Sequence, residues 1–447
     1  MLRSRTYNTL LYITIFCFGS GISVTSQLSA FTVLCSILLS INVIAISFSD
    51  QRVMIPAKGY TNFLVLLFVF ITFYTMLIRG IGFEMLGSSK SGGMFYIKLF
   101  SILLLFVFLP KIKTSDRFIS ALFFAYFISC VLPFLADVLF MIFGGETIIH
   151  KIIPGSTTIK FYAESEGSLF RMQSAASVAE YIVVLMLAYK PPFNEAGKLS
   201  LKFGNIAIFI AALILIGLSG HRITLVGITL LLIFYYYNSF GKKKLIKPLL
   251  IGGLAAIAIC VFAILRFENL PPNFQRTFSF LPFTPTNEVT LNAADSLNFR
   301  LLMAAKAVIM LPDYYLIGKG FAFFNYPVDT TDYFGIIDFF AEIGVFHNGL
   351  LGLLINLGIP GLVVGVALIF SLIKFTGKKV LFKGPTRLNN LMLVLKSKIL
   401  VSVIYFFFLY GDVQSNFMEI IILGILYKII HSYTNGKVKD LVNEGAL

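Results

Sequence analysis

Charge is what this sequence has least of. Of its 447 residues, 36 are Lys or Arg and 21 are Asp or Glu, so 13% are charged, where a soluble domain carries about 25%. With 58% hydrophobic residues and a mean hydropathy of +0.89, a soluble fold is excluded and an integral membrane protein is expected. Cysteine is equally scarce. Cys17, Cys35, Cys130 and Cys260 all fall inside hydrophobic runs, which fits small apolar packing residues and excludes a disulfide framework or a metal-ligand spacing. No HExxH, CxxC, clustered His-carboxylate set or Walker sequence occurs, so metal- and nucleotide-dependent chemistry is disfavoured and no cofactor is expected. The "GKG" at Gly318–Gly320 is a lone G-x-G and reads as a turn.

Long apolar runs are abundant. "LLYITIFCFGSGISV", "FLVLLFVFITFYTMLI" and "FGNIAIFIAALILIGLSG" reach or approach the roughly 20 residues that cross a hydrocarbon core. They must be helices, because a backbone in lipid satisfies its own hydrogen bonds and no period-2 barrel pattern is present. The fold class expected is an all-α polytopic membrane protein, a single domain over residues 1–447. About twelve spans are expected, at 7–24, 28–47, 61–79, 94–110, 117–143, 173–189, 203–219, 222–238, 248–266, 347–373, 397–411 and 415–432. The first run follows Arg3 and Arg5 as a signal peptide would, but no convincing cleavage site follows, so it is expected to remain as a helix. With the N-terminus in the cytoplasm, "GKKKLIK", "KFTGKKVLFKGPTR" and the tail "TNGKVKD" share one side. About 24 of the 36 basic residues then lie there, as the positive-inside rule requires. The formal charge of +15 therefore reports topology and implies no nucleic-acid partner.

Two outer loops remain, at 144–172 and 267–346, and the second is far longer than a connection needs. Within it "DSLNFRLLMAAKAVIMLP" has an Asp-Ser start, a helical apolar pattern and a Pro stop, which predicts a short helix. Long loops on a rigid scaffold carry binding and catalysis, so the outer face is the working face.

Cations are few on that face. Arg222, in "LSGHRITLVG", opens a span; it could snorkel to headgroups, or join helix N–H groups in holding a phosphate. Arg300, on the loop helix, suits either a solvated charge or a second clamp on the same anion, and Arg171, in "GSLFRMQSAASVAEY", is the less distinctive third. His347 opens "HNGLLGLLINLGIPGLV" and has the side chain best suited to take a proton near neutral pH. His150 and His431 are weaker candidates. From His347 to Phe375 one helix would be about 43 Å long, more than a perpendicular span needs. The Gly358–Gly361 break would let a short first piece stay at the outer boundary while the second crosses. Asp137, Glu180 and Glu419 lie within spans without relay spacing and read equally as polar contacts between helices.

The ordered set resembles the O-antigen ligase and O-antigen polymerase superfamily. It comprises a Ser-x-x-Arg turn opening a span, an Arg-bearing loop helix running to "PDYYLIGKGFAFF", and "HNGLLGLLINLGIPGL" after the long loop. The likeness runs from about "LFRMQSAASVAEY" to "GDVQSNFMEIIILGIL". It implies inverting, metal-independent glycosyl transfer from a polyprenyl-diphosphate-linked oligosaccharide, on the periplasmic side of a bacterial cytoplasmic membrane, with both termini cytoplasmic. Arg222 and Arg300 would bind the diphosphate, His347 would be the catalytic base, and Arg171 and Asn348 would position substrate. Donor, acceptor and membrane lipid would be the partners, with a chain-length regulator as a further one. The sequence departs from the superfamily in three places. Gly220 and His221 separate Ser219 from Arg222, Asn356 stands where an acidic residue is common, and Gly349 follows His-Asn. Polymerase is the reading preferred over ligase. A transporter or lipid-linked saccharide flippase is the alternative from another class, and it would call for charges along a central path.

The topology has a direct check. With the four native cysteines replaced, Thr284→Cys should react with a membrane-impermeant maleimide in intact cells, and Lys243→Cys only after permeabilisation. The opposite pattern would invert the assignment.

Overall fold

A computed structural model describes residues 4–24, 28–48, 59–80, 92–109, 115–143, 148–153, 173–192, 202–322, 333–377, 386–409 and 411–443. Among these, the only β pairing is an isolated bridge between Ser23 and Ser29; the fold is all-helical. Every expected span is matched by helix: Ser4–Ser20, Ala30–Phe48, Tyr60–Arg79, Gly93–Val107, Asp116–Ser129 with Leu132–Phe143, Gln173–Tyr189, Phe203–Ser219, Arg222–Phe240, Lys242–Leu265, Gly349–Gly377, Thr386–Ile404 and Met418–Asn443. By length and composition, 6 segments among the described residues can cross a membrane, and shorter apolar helices accompany them; Ser4–Ser20 belongs to neither group. The expected 117–143 span divides at Cys130 and Val131, because Pro133 has no N–H to offer the preceding turn. Ser115 starts its first half by accepting from the Phe118 amide at 3.3 Å.

Packing sorts these helices into centre and rim. Met418–Ile430 is buried along most of its length, with Ile420, Ile421, Ile422, Leu423 and Ile425 all inaccessible. By contrast Leu250, Leu254, Ile257 and Val261 of Lys242–Leu265 are exposed apolar side chains, as a rim helix bathed in lipid requires.

Three charges inside the bundle meet in one cluster. Lys398 Nζ lies 2.8 Å from Glu180 Oε1 and 3.0 Å from Glu419 Oε1, tying together Gln173–Tyr189, Thr386–Ile404 and Met418–Asn443. Ser402 Oγ donates to Glu419 Oε2 at 3.1 Å, and the rings of Tyr181 and Tyr405 flank the ammonium at 5.6 and 5.8 Å. Asp137 accepts from Ser174. All three intramembrane carboxylates thus serve as contacts between helices, the second of the two roles their sequence allowed.

Outside this bundle the long loop forms its own layer. Its main helix is Glu288–Tyr314, longer at both ends than the stretch from Asp295 to Pro312 that the sequence suggested. The start moves because Asn287 and Thr290 form a reciprocal capping box, with bonds of 3.0 and 2.8 Å. Pro312 lies inside the helix, which ends two residues later. Met303 and Ala307 of this helix pack with Ile337, Ala341, Phe346 and Ile355 in a second, smaller core, and Lys306 pairs with Asp338 at 2.7 Å.

Removing Lys398 alone leaves two buried carboxylates facing each other. Lys398→Met should therefore cost about 3–5 kcal/mol, read as a lowered melting temperature of the detergent-solubilised protein. A melting temperature within a degree of wild type would show that the ion cluster contributes nothing to the bundle.

Candidate functional site

The helix Gly349–Gly377 is broken inside its length, as its Gly-Ile-Pro-Gly sequence predicts. Gly358 has φ 70° and ψ −175°, which separates a short first piece from a longer second one that carries Pro360 in its first turn. A break of this kind strips backbone groups of their partners, and in an apolar setting they must find others. The segment following the loop helix supplies them: Lys319 N donates to Ile355 O at 2.7 Å, Gly320 N to Asn356 O at 2.9 Å, and Ile359 N to Tyr315 O at 2.7 Å. A Cβ at Gly358 would come within 2.6 Å of Leu316 O, so only glycine admits this approach. Arg79, at the end of Tyr60–Arg79, holds the same segment from the other side. It donates to Asp313 O, Ile317 O and Gly318 O, each at 3.1 Å, and its guanidinium lies 5.0 Å from the centre of the Tyr314 ring.

His347 stands just before the broken helix, with φ 51°, in the left-handed region that a Cβ disfavours. Its ring packs against those of Phe299 and Phe340, with centroids 6.1 and 5.5 Å away, and these two rings touch each other at 5.7 Å. Asn348 is the helix cap: its Oδ1 accepts from the Leu350 and Leu351 amides at 3.0 and 3.1 Å, which explains how Gly349 can open the helix. Asn356, where the superfamily commonly has an acid, does not reach the imidazole; its Nδ2 donates to Gly344 O at 2.8 Å.

Arg222 is the first residue of Arg222–Phe240, following a turn in which Ser219 Oγ accepts from the His221 amide at 3.1 Å. Its Nη2 donates to Ala293 O of the loop helix at 3.0 Å. Ala293 and Phe299 are six residues, or about 9 Å, apart on one helix. The loop helix therefore collects the side chains of Arg222 and His347 within two turns and carries Arg300, which is half-buried, beside Phe299. Arg171 lies outside the described residues. Arg276, which sequence reasoning passed over, is 4% exposed on Pro272–Phe278, a short helix packed against the helices of both Arg222 and Arg300. Along the other half of the loop helix an open apolar groove of about 490 Å³ runs between Val308, Leu311, Pro312 and Tyr315 on one side and Leu354, Ile359 and Leu362 on the other.

Taken together, these features define a polytopic membrane protein whose candidate site sits where the long loop meets the ends of its spans. Residues 207–366 match the family model described as O-antigen ligase. No curated protein matches the chain. The matched segment contains Arg222, Arg300, His347 and Asn348, and at family level it implies glycosyl transfer of lipid-linked polysaccharide. Arg79, Arg276, Lys319 and Gln414 were not singled out from sequence. Lys319 was visible only as the middle of a turn.

Three charge-assisted bonds from Arg79 should dominate the anchoring of 313–318, each worth about 1.5–3 kcal/mol. In Arg79→Met, amide exchange across residues 315–320 should accelerate by about ten-fold or more; unchanged protection there would mean that the pairing with the broken helix suffices alone.

Proposed function

We propose that the protein is a surface-polysaccharide polymerase of the O-antigen kind, joining polyprenyl-diphosphate-linked oligosaccharide repeat units at the outer side of the bacterial cytoplasmic membrane. The observation that carries this reading is the assembly of Arg222, Arg300 and His347 along one loop helix. The donor brings its own activation in the bond between its anomeric carbon and the diphosphate. The incoming hydroxyl oxygen attacks that carbon from the opposite face and inverts it, while the carbon–oxygen bond to the diphosphate breaks. His347 takes the hydroxyl proton as general base, and Arg222 and Arg300 bind the diphosphate and neutralise the charge it gains on leaving. The groove from Val308 to Leu362 is apolar, adjoins the same two helices, and suits the polyprenyl chain of a substrate. Arg171 and the Nδ2 of Asn348 complete the set as positioning groups, the Oδ1 of Asn348 being committed to the helix cap.

A ligase that moves the glycan to a lipid A core or another acceptor shares every one of these steps, and the description of the matched family favours it as the second reading. A transporter gains no support from Lys398, Glu180 and Glu419, because they are engaged with one another in a single ion cluster.

His347→Ala and Arg222→Ala should abolish polymer formation in a deletion strain, with membrane levels unchanged. Normal-length glycan from either variant would overturn the assignment. The deletion strain itself separates the two reactions: single repeat units on the acceptor mark a polymerase, and long glycan stranded on its carrier marks a ligase.

A further inference from the structure

The turn that leads into His347 is held in an unusual way. Its three consecutive carbonyls, at Glu342, Ile343 and Gly344, accept from three buried side chains that come from three separate parts of the chain. Lys319 Nζ donates to Glu342 O. Gln414 Nε2, from the connection between the last two spans, donates to Ile343 O at 3.1 Å and to Gly344 O at 3.2 Å. Asn356 Nδ2, from the broken helix, donates to Gly344 O at 2.8 Å. Lys319, Gln414 and Asn356 are 9%, 4% and 0% exposed. Gly344 has φ 77°, and the Asn356 side chain occupies the space a Cβ there would need, so the turn has a single fit.

This arrangement carries a cost of its own. Asn356 Oδ1 and Gln414 Oε1 are buried without a protein partner among the described residues, and burial lowers the Lys319 pKa against a smaller opposing effect of the Glu342 carboxylate. The turn is itself buried, with Ile343 8% and Val345 4% exposed, so its carbonyls must take their donors from the protein. What the three donors achieve is local: they fix the backbone three residues ahead of His347, whose left-handed conformation persists only where its surroundings over-determine it.

We propose that Lys319, Asn356 and Gln414 are positioning residues for the transfer reaction, gripping the 342–344 carbonyls so that the His347 imidazole is presented at a fixed place against the Phe299–Phe340 pair. The inference rests on His347 being the base. It requires that loosening the grip slows the proton-removing step and leaves donor binding, the work of the arginines, unchanged.

The test uses the purified full-length protein in lipid nanodiscs with a synthetic polyprenyl-diphosphate oligosaccharide. Gln414→Glu keeps the size of the side chain and puts an oxygen where two carbonyls need a donor, and Lys319→Met removes the third donor. Each should lower kcat about ten- to hundred-fold with the donor KM within about two-fold, since small misplacements of a reacting group cost that much. If Gln414→Glu does not fold, Gln414→Met, which only deletes the donor, is read in its place. Asn390→Leu is the control. Its amide likewise donates to two carbonyls, Leu187 O and Ala188 O, both at 2.7 Å, but near the opposite end of Thr386–Ile404. It should lower folded yield with kcat per folded molecule unchanged. Gln414→Glu and Lys319→Met behaving like Asn390→Leu, or keeping wild-type kcat, would overturn the proposal. If His347→Ala is inactive while these variants are not, the grip alone is refuted; if His347→Ala is active, the reading of the site has failed first.

Discussion

A backbone carbonyl or amide that cannot reach water must be paired, and the candidate site is organised around that requirement. Breaking Gly349–Gly377 at Gly358 frees groups that a continuous helix would have used, and residues 315–320 take them up. This pairing does more than repair the break. It joins the end of the helix bearing Arg300 to the helix that follows His347, so two candidate groups more than forty residues apart in sequence belong to one body. Arg79 adds a third element to that body, because its guanidinium takes up the carbonyls of Asp313, Ile317 and Gly318.

Polar side chains in this fold divide into two populations. Lys398, Glu180 and Glu419 meet in the interior as one ion cluster. Arg222, Arg300 and His347 lie at the ends of spans, on or against the loop helix, where an amphiphilic substrate could bring a charged head to them without leaving the bilayer. The ion cluster that ties the bundle together is thus separate from the candidate site at its edge.

Much of the architecture was legible because hydropathy runs report spans directly. Helices lie at the twelve expected positions, with 6 segments among the described residues long and apolar enough to cross a membrane, and the Gly-Ile-Pro-Gly break appears at Gly358 as its sequence suggests. The loop helix was legible in its apolar middle but not at its start, since the Asn287 cap lies in a polar stretch without periodicity. The 117–143 span was read as one helix because its hydrophobicity is continuous across the joint before Pro133. What stayed hidden follows a common rule. Arg79, Lys319 and Gln414 act on carbonyls that every residue has, so neither spacing nor residue type marks their partners. Glu180 and Glu419 were noticed but Lys398 was not, because a lone lysine beside Lys396 looks like the edge of a span.

The ion cluster of Lys398 also bears on the order in which the protein is made. Glu180 is synthesised about 220 residues before Lys398, and Glu419 follows the lysine closely. At ordinary translation speeds the first carboxylate waits roughly 10 to 45 seconds for its counter-ion. A carboxylate in a bilayer without a partner is expensive, and the cheapest way through that interval is to enter as the neutral acid. The arrival of the final hairpin is then the step that admits charge to the interior. A chain truncated before residue 398 would retain nine-tenths of its sequence and lack the one cation that joins these three helices.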